Sequence, residues 1–117
     1  MNHRTIKQIS AQELDQWLNN ESKQPCLIDV REEQEIKIAP FPFPIIHLPL
    51  SNFAIWSDNL SNKIPVETPV VVICHSGIRS MNFGIWLVEQ GFDYQVWNLD
   101  GGIDSWSVNI DNSVPRY

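Results

Sequence analysis

The segment from Val70 to Gly91 constrains the fold of this chain more than any other feature. It opens with four consecutive apolar residues, Val70-Val71-Val72-Ile73, and this run lacks the alternation of a half-exposed strand. Such a run is typical of a strand that is covered on both faces, as in a parallel sheet. After a short loop that begins at Cys74, apolar residues return at helical spacing up to Gly91, a residue that suits a helix end. The segment therefore predicts a buried strand, a loop and a helix.

Cys74 lies at the point where this strand ends and the helix begins. In open α/β sheets, ligands bind outside the carboxyl ends of the strands. The backbone N–H groups of the loop and the N-terminus of the helix would converge on whatever the sulfur carries. Gly77 gives the loop backbone the freedom to curl, and Arg79 and His75 place cationic side chains that would favour a nucleophilic thiolate. Cys74 is therefore a candidate nucleophile, although cysteine is also common as an inert buried residue.

Three motifs, in this order along the chain, resemble those of the single-domain rhodaneses, or thiosulfate sulfurtransferases. Asp29-Val30-Arg31-Glu32 resembles the Asp-Val-Arg motif of that family, and Cys74-His75-Ser76-Gly77-Ile78-Arg79 resembles its six-residue active-site loop. Leu99-Asp100-Gly101-Gly102-Ile103-Asp104-Ser105-Trp106 resembles its closing Leu-x-Gly-Gly-x-x-x-Trp motif. One segment departs from the family: Ala39-Pro40-Phe41-Pro42-Phe43-Pro44 stands where a Gly-His-Ile-x-Gly-Ala-type segment is usual. The departure concerns the shape of one loop.

The resemblance implies a sulfurtransferase in which the Cys74 thiolate takes the sulfane sulfur of a small anionic donor such as thiosulfate. The resulting persulfide would pass the sulfur to a thiophilic acceptor, which is cyanide, a thiol or a protein. The resemblance also implies that the loop residues bind the substrate and the persulfide, namely His75, Ser76, Gly77, Ile78 and Arg79. Asp29 and Arg31 are expected to brace the loops near the site. No cofactor and no metal are expected.

Two other functions stay open at this point. Cysteine phosphatases and arsenate reductases hold a tetrahedral oxyanion in a related loop. Protein tyrosine phosphatases have five residues between Cys and Arg, whereas four residues separate Cys74 from Arg79 here. The second alternative is a persulfide carrier or partner-binding module that does not turn over free thiosulfate. The sequence does not name the acceptor, so this alternative remains.

Composition places the chain among globular domains. Its 117 residues suffice for one domain, and the net charge of −6 argues against nucleic acid or an anionic membrane as a partner. No apolar run approaches the ~20 residues of a membrane span, and the polar residues after Ile6 do not match a signal peptide. The two cysteines, Cys26 and Cys74, fit a reducing compartment, so a cytoplasmic location is expected.

The rest of the chain predicts a single α/β domain, residues 1–117, with an irregular C-terminal tail from about residue 107. Further strands are expected near 5–9, 26–30, 45–48 and 95–99, and helical segments near 11–20, 32–37, 51–60 and 102–106. Ser10 and Glu13 form a capping box, and the prolines of residues 40–44 predict an extended segment anchored by Phe41 and Phe43. Alternation of strands and helices predicts about five strands in a mainly parallel sheet, covered by helices on both faces.

Overall fold

A computed structural model of the chain describes residues 5–20, 22–65 and 67–117. Within these ranges, five strands form one sheet in the order β1-β5-β4-β2-β3, and every neighbouring pair is parallel. The strands are β1 (Lys7–Ile9), β2 (Cys26–Asp29), β3 (Ile46–His47), β4 (Val70–Ile73) and β5 (Val96–Leu99). The predicted parallel α/β sheet is confirmed, and its central strand is the apolar run that precedes Cys74.

The helices are α1 (Ala11–Asn20), α2 (Glu33–Ile38), α3 (Phe53–Trp56), α4 (Leu60–Lys63), α5 (Ile78–Glu89) and α6 (Gly102–Asn109). The single helix expected from residue 51 is instead a series of short turns, because 3-10 turns at Leu50–Asn52 and Ser57–Asn59 flank α3. Both 3-10 turns contain Ser, Asn or Asp, whose short polar side chains compete for backbone hydrogen bonds and weaken regular helix.

The C-terminal end of the chain also differs from expectation. Helix α6 continues to Asn109, so the irregular segment begins at Ile110 rather than at about residue 107. The buried hydroxyl of Ser107 donates to the carbonyl of Val114 at 2.5 Å, and Val114 packs into the core. This hydrogen bond folds the tail back onto the domain.

Each face of the sheet has its own apolar core. Val70, Val72 and Cys74 belong to the core shared with α3, α4 and α5, whereas Val71 and Ile73 belong to the core shared with α1 and α6. All of β4 is fully buried, as the unalternated apolar run predicts. Helices therefore cover both faces of the sheet.

The capping box at the start of α1 is present. The Ser10 N–H donates to Glu13 Oε1 at 2.9 Å, and the Glu13 N–H donates to Ser10 Oγ at 3.1 Å. This reciprocal pair satisfies two backbone donors at the helix start. It fixes where the chain turns from β1 into α1.

The proline-rich segment is held to α6 by aromatic contacts. The Phe41 ring centroid lies 4.7 Å from that of Trp106, and the Phe43 centroid lies 6.1 Å from it. Phe41 is buried, so these rings anchor the segment, as expected. Among the described residues, no helix is long and apolar enough to cross a lipid bilayer.

Candidate functional site

The topology brings the three sequence motifs together at one edge of the sheet. β4 lies between β2 and β5, and all three strands run in the same direction. Their carboxyl ends therefore lie side by side. Arg31 follows β2, Cys74 follows β4 and Gly102 follows β5.

The first turn of α6 fixes the backbone of the Cys74 loop. The N–H of Ile103 donates to the Cys74 carbonyl at 2.9 Å, and the N–H of Asp104 donates to the His75 carbonyl at 3.1 Å. Gly102 has a φ of +61°, and a Cβ at this position would lie 2.4 Å from the His75 carbonyl oxygen. Only glycine allows so close an approach, so the closing motif positions the loop that carries the cysteine.

The Cys74 sulfur is buried at the base of the loop and has two hydrogen-bond partners among the described residues. The Gly77 N–H donates to Sγ at 3.1 Å, and Ser80 Oγ lies 3.2 Å from Sγ. Gly77 has a φ of +99°, the left-handed conformation that turns its N–H toward the sulfur. The sequence predicts several converging N–H groups, whereas within the part of the chain that the structure describes Sγ has one N–H contact and one hydroxyl contact. Cys74 itself is 1% exposed.

A buried amide, the side chain of Asn98, contacts the Ser80 hydroxyl. The Asn98 side-chain nitrogen donates to the Gly77 carbonyl at 3.1 Å and to Gln8 Oε1 at 2.9 Å. Because a carbonyl only accepts, this contact places the Asn98 oxygen on the side of Ser80, with which it forms a hydrogen bond. The Ser80 hydroxyl has one proton and two acceptors within reach, Asn98 Oδ1 and Cys74 Sγ, so it donates to one of them at a time.

Arg79 does not present a free charge. Its Nη1 and Nη2 donate to Glu35 Oε2 and Oε1, both at 2.7 Å, in a two-pronged ion pair. The hydrogen bond from Arg79 lowers the pKa of Glu35 from 4.5 to about 2. The same hydrogen bond raises the pKa of Arg79. Arg79 is expected to attract an anionic donor. In the structure, however, its guanidinium already has a carboxylate partner, Glu35.

Asp29 and Arg31 form a second ion pair, and both side chains are 0% exposed. The Arg31 Nε and Nη2 donate to the two Asp29 oxygens at 3.0 and 2.8 Å. Nη2 also donates to the Ala39 carbonyl at 2.9 Å. The imidazole Nε2 of His47 lies 2.6 Å from the Arg31 carbonyl oxygen. The pair ties β2 to the segment that follows α2.

The side chains of the remaining loop residues lie on its outer surface. His75 stacks on Tyr117, with ring centroids 4.0 Å apart and an angle of 13° between the planes. Ser76 is exposed, and Ile78 is 69% exposed. The Tyr117 hydroxyl accepts from Arg31 Nη1 and donates to Glu35 Oε1, both at 3.1 Å. Burial raises the pKa of this hydroxyl.

Four residues at the site were not identified as site residues from the sequence: Glu35, Ser80, Asn98 and Tyr117. Weak signals exist for three of them. Glu35 follows Arg31 by four residues on an expected helical turn, Ser80 directly follows the loop, and Asn98 directly precedes the closing motif. Tyr117 has no such signal.

The second cysteine lies apart from this arrangement. Cys26 begins β2, at the opposite end of the strand from Arg31, and burial raises the pKa of its thiol. It packs against the core on the α5 side of the sheet. Within residues 5–20, 22–65 and 67–117, no group of three or more His, Cys, Asp and Glu side chains is placed to hold a metal ion.

Comparison with known proteins gives one family model, described as a rhodanese-like domain, which matches residues 10–109. The chain is 37% identical over 115 residues to the rhodanese-like/PpiC domain-containing protein 12, chloroplastic, of Arabidopsis thaliana, covering 96% of this chain and 38% of that protein. It is 32% identical over 102 residues to the thiosulfate sulfurtransferase GlpE of Actinobacillus pleuropneumoniae, covering 87% of each. The chain thus spans little more than a third of the plant relative and most of the bacterial one.

Solved structures share the same architecture. The rhodanese-like domain protein from Staphylococcus aureus superposes with a TM-score of 0.73 at 28% identity, covering 86% of this chain and 91% of that chain. Reduced Bacillus anthracis CoADR-RHD gives a TM-score of 0.75 at 28% identity, covering 93% of this chain and 18% of that chain. The five-stranded parallel sheet and its helices are therefore those of a known fold.

Proposed function

The chain belongs to the rhodanese-like domain family, and we propose that it is a sulfurtransferase that carries a sulfane sulfur as a persulfide on Cys74. One observation supports the proposal above the others. The Cys74 sulfur lies at the carboxyl end of the central strand, between the Gly77 N–H at 3.1 Å and the Ser80 hydroxyl at 3.2 Å. A thiolate at this position has two donors that can stabilise its charge.

The proposed reaction has two steps. The Cys74 thiolate attacks the outer sulfur of thiosulfate, the S–S bond of the donor breaks, and its electron pair leaves with sulfite. The enzyme then holds the sulfur as a persulfide anion, so three negative charges stand on each side of the step. In the second step cyanide attacks the outer persulfide sulfur, thiocyanate leaves, and the Cys74 thiolate is restored. Covalent catalysis of this type gives ping-pong kinetics.

The proposed roles of the other residues follow from their contacts. The loop residues from His75 to Arg79 surround the entering donor, and the Gly77 N–H holds the attached sulfur in place. The buried Asp29–Arg31 pair braces the neighbouring loop and does not act on the substrate. The reaction needs no metal and no redox cofactor, because the sulfane sulfur passes from one nucleophile to another without net oxidation or reduction.

Steady-state turnover of thiosulfate and cyanide tests the proposal, with thiocyanate as the measured product. Wild-type protein and Cys26→Ser should both show parallel double-reciprocal lines, whereas Cys74→Ser should show no turnover. Cys26→Ser is the matched control, since it removes the other thiol, which lies away from the loop. Turnover that survives in Cys74→Ser, or that is lost in Cys26→Ser, would contradict the assignment of Cys74.

In the cell, we propose that a thiol or a protein accepts the sulfur, and that the reaction takes place in the cytoplasm. The proposed chemistry needs a thiol that stays reduced, which the cytosol provides. The plant relative is named as chloroplastic, so the compartment is a separate question. Cell fractionation followed by immunodetection answers it, and recovery with a membrane or an organelle would contradict the cytoplasmic location.

A further inference from the structure

The carboxylate of Glu35 is held rigidly in front of Arg79. Besides the two Arg79 nitrogens at 2.7 Å, it accepts the Glu32 N–H at 2.9 Å and the Tyr117 hydroxyl at 3.1 Å. Four donors therefore fix this carboxylate on the loop arginine. This pair uses one N–H of each Nη group and neutralises the guanidinium charge, so an incoming anion must compete with the Glu35 carboxylate on this face of Arg79.

The other arginines of the described residues are also paired. Arg31 is bound to Asp29 inside the domain, and Arg116 is bound to Asp104 through contacts of 2.8 and 3.2 Å. Asp104 belongs to the first turn of α6, beside the loop. Each of these positive charges is therefore cancelled locally by a carboxylate. Since the whole chain carries a net charge of −6, no broad positive field compensates for this pairing.

Resting on the sulfurtransferase function proposed above, we propose that Glu35 is a specificity-determining residue that selects against small dianionic sulfur donors. By occupying Arg79, it lowers the affinity of the loop for thiosulfate. The favoured donor is a persulfide on an organic thiol, R–S–SH, which carries at most one negative charge and therefore depends less on an arginine than the thiosulfate dianion does. Cys74 attacks the outer sulfur, the S–S bond of the donor breaks, R–S⁻ leaves, and Cys74–S–SH forms. One negative charge stands on each side, and the proton stays on the transferred sulfur.

Glu35→Gln tests the proposal, with Glu33→Gln as its control. Both residues lie on α2 and both substitutions remove one negative charge, but Glu33 is exposed and pairs with Lys37 at 3.7 Å. Each protein is incubated with thiosulfate or with the persulfide of 2-mercaptoethanol, and the rate of persulfide formation on Cys74 is followed by mass spectrometry. The ratio of the two rates within one protein does not depend on the folded fraction, so a partly unfolded variant still gives a result.

In Glu35→Gln, the thiosulfate rate divided by the 2-mercaptoethanol persulfide rate should rise about five- to tenfold. The rise is of this size because the freed charge, that of Arg79, is partly exposed and therefore partly screened by solvent. Added salt should reduce this rise, since it screens the freed charge. Glu33→Gln should leave the ratio at the wild-type value. The double variant Glu35→Gln/Arg79→Ala should lose the rise, because the effect acts through Arg79.

An equal ratio in Glu35→Gln and Glu33→Gln would overturn the inference while leaving the sulfurtransferase function standing. A rise that persists without Arg79 would also overturn it, because another group would then attract the donor. Failure of both donors to load Cys74 in every protein would overturn the proposed function, and the inference with it.

Discussion

The two sides of the Cys74 loop are built from different chemistry. On the side of β5, the contacts to the sulfur come from uncharged groups that are buried: the Gly77 N–H and the Ser80 hydroxyl, with Asn98 behind them. On the side of α2, the groups are charged and partly exposed, with Arg79 37% and Glu35 21% exposed in their side chains.

This difference separates two tasks that a sulfur-transfer site must perform. The uncharged groups contact Sγ itself, in a dry environment where each hydrogen bond is strong and a lost partner is costly. The charged groups are paired with each other and are partly exposed, so solvent and salt weaken their electrostatic interactions. We therefore expect the uncharged side to govern the reactivity of the sulfur and the charged side to govern the choice of donor.

The largest effect we expect separates the two arginines by burial. Arg31→Ala should lower the free energy of unfolding by about 3–5 kcal/mol, because it leaves the carboxylate of Asp29 buried without its partner. Arg79→Ala should lower it by at most about 1 kcal/mol, because that ion pair is partly exposed. Urea denaturation of both variants measures the difference. Equal losses would show that exposure does not set the strength of these ion pairs.

A smaller effect is expected on the uncharged side. Ser80→Ala removes a contact to Sγ and leaves the buried Asn98 oxygen without its donor. The rate of persulfide formation should fall about tenfold. The fall should be the same for thiosulfate and for the persulfide of 2-mercaptoethanol, and salt should not change it. Ser61→Ala is the matched control, since Ser61 is an exposed serine of α4, outside the Cys74 loop. A donor-dependent fall would place Ser80 among the donor-selecting groups.

The smallest effect we expect concerns how the free energy of unfolding changes at acidic pH. The pKa of Glu35 falls from 4.5 to about 2 through its hydrogen bond to Arg79. A lowered carboxyl pKa means that the ion pair contributes fully above 4.5 and is lost as the pH falls toward 2. Wild-type protein should exceed Glu35→Gln in free energy of unfolding by less than about 1 kcal/mol at neutral pH. This gap should close as the pH approaches 2, and urea titrations at several pH values measure it. A difference in free energy of unfolding that widens as the pH falls would contradict the lowered pKa of Glu35.

Local pattern predicts most of the fold. The unalternated run Val70–Ile73 identifies the central strand, and Ser10 with Glu13 identifies the start of α1, because both signals depend only on neighbouring residues. Regularity is harder to predict where short polar side chains interrupt an apolar face. The helix expected from residue 51 therefore becomes alternating short turns.

The site is predicted only as far as its motifs extend. The sequence places Cys74 on a loop at the carboxyl end of β4, but the partners of that loop come from distant positions. Glu35 reaches Arg79 from 44 residues away, and Asn98 reaches Ser80 from 18 residues away. Such pairs are set by which strands become neighbours, which periodicity does not encode. The pairing of Arg79 therefore becomes visible only in the structure.

The most direct test of the account is the location of the sulfur after a single donor incubation. The wild-type protein, treated with the persulfide of 2-mercaptoethanol and then freed of excess donor, should gain about 32 Da, the mass of one sulfur atom. Peptide mapping should place the added sulfur on Cys74, and cyanide should remove it as thiocyanate. Sulfur found on Cys26, or an unchanged mass of the Cys74 peptide, would contradict the account.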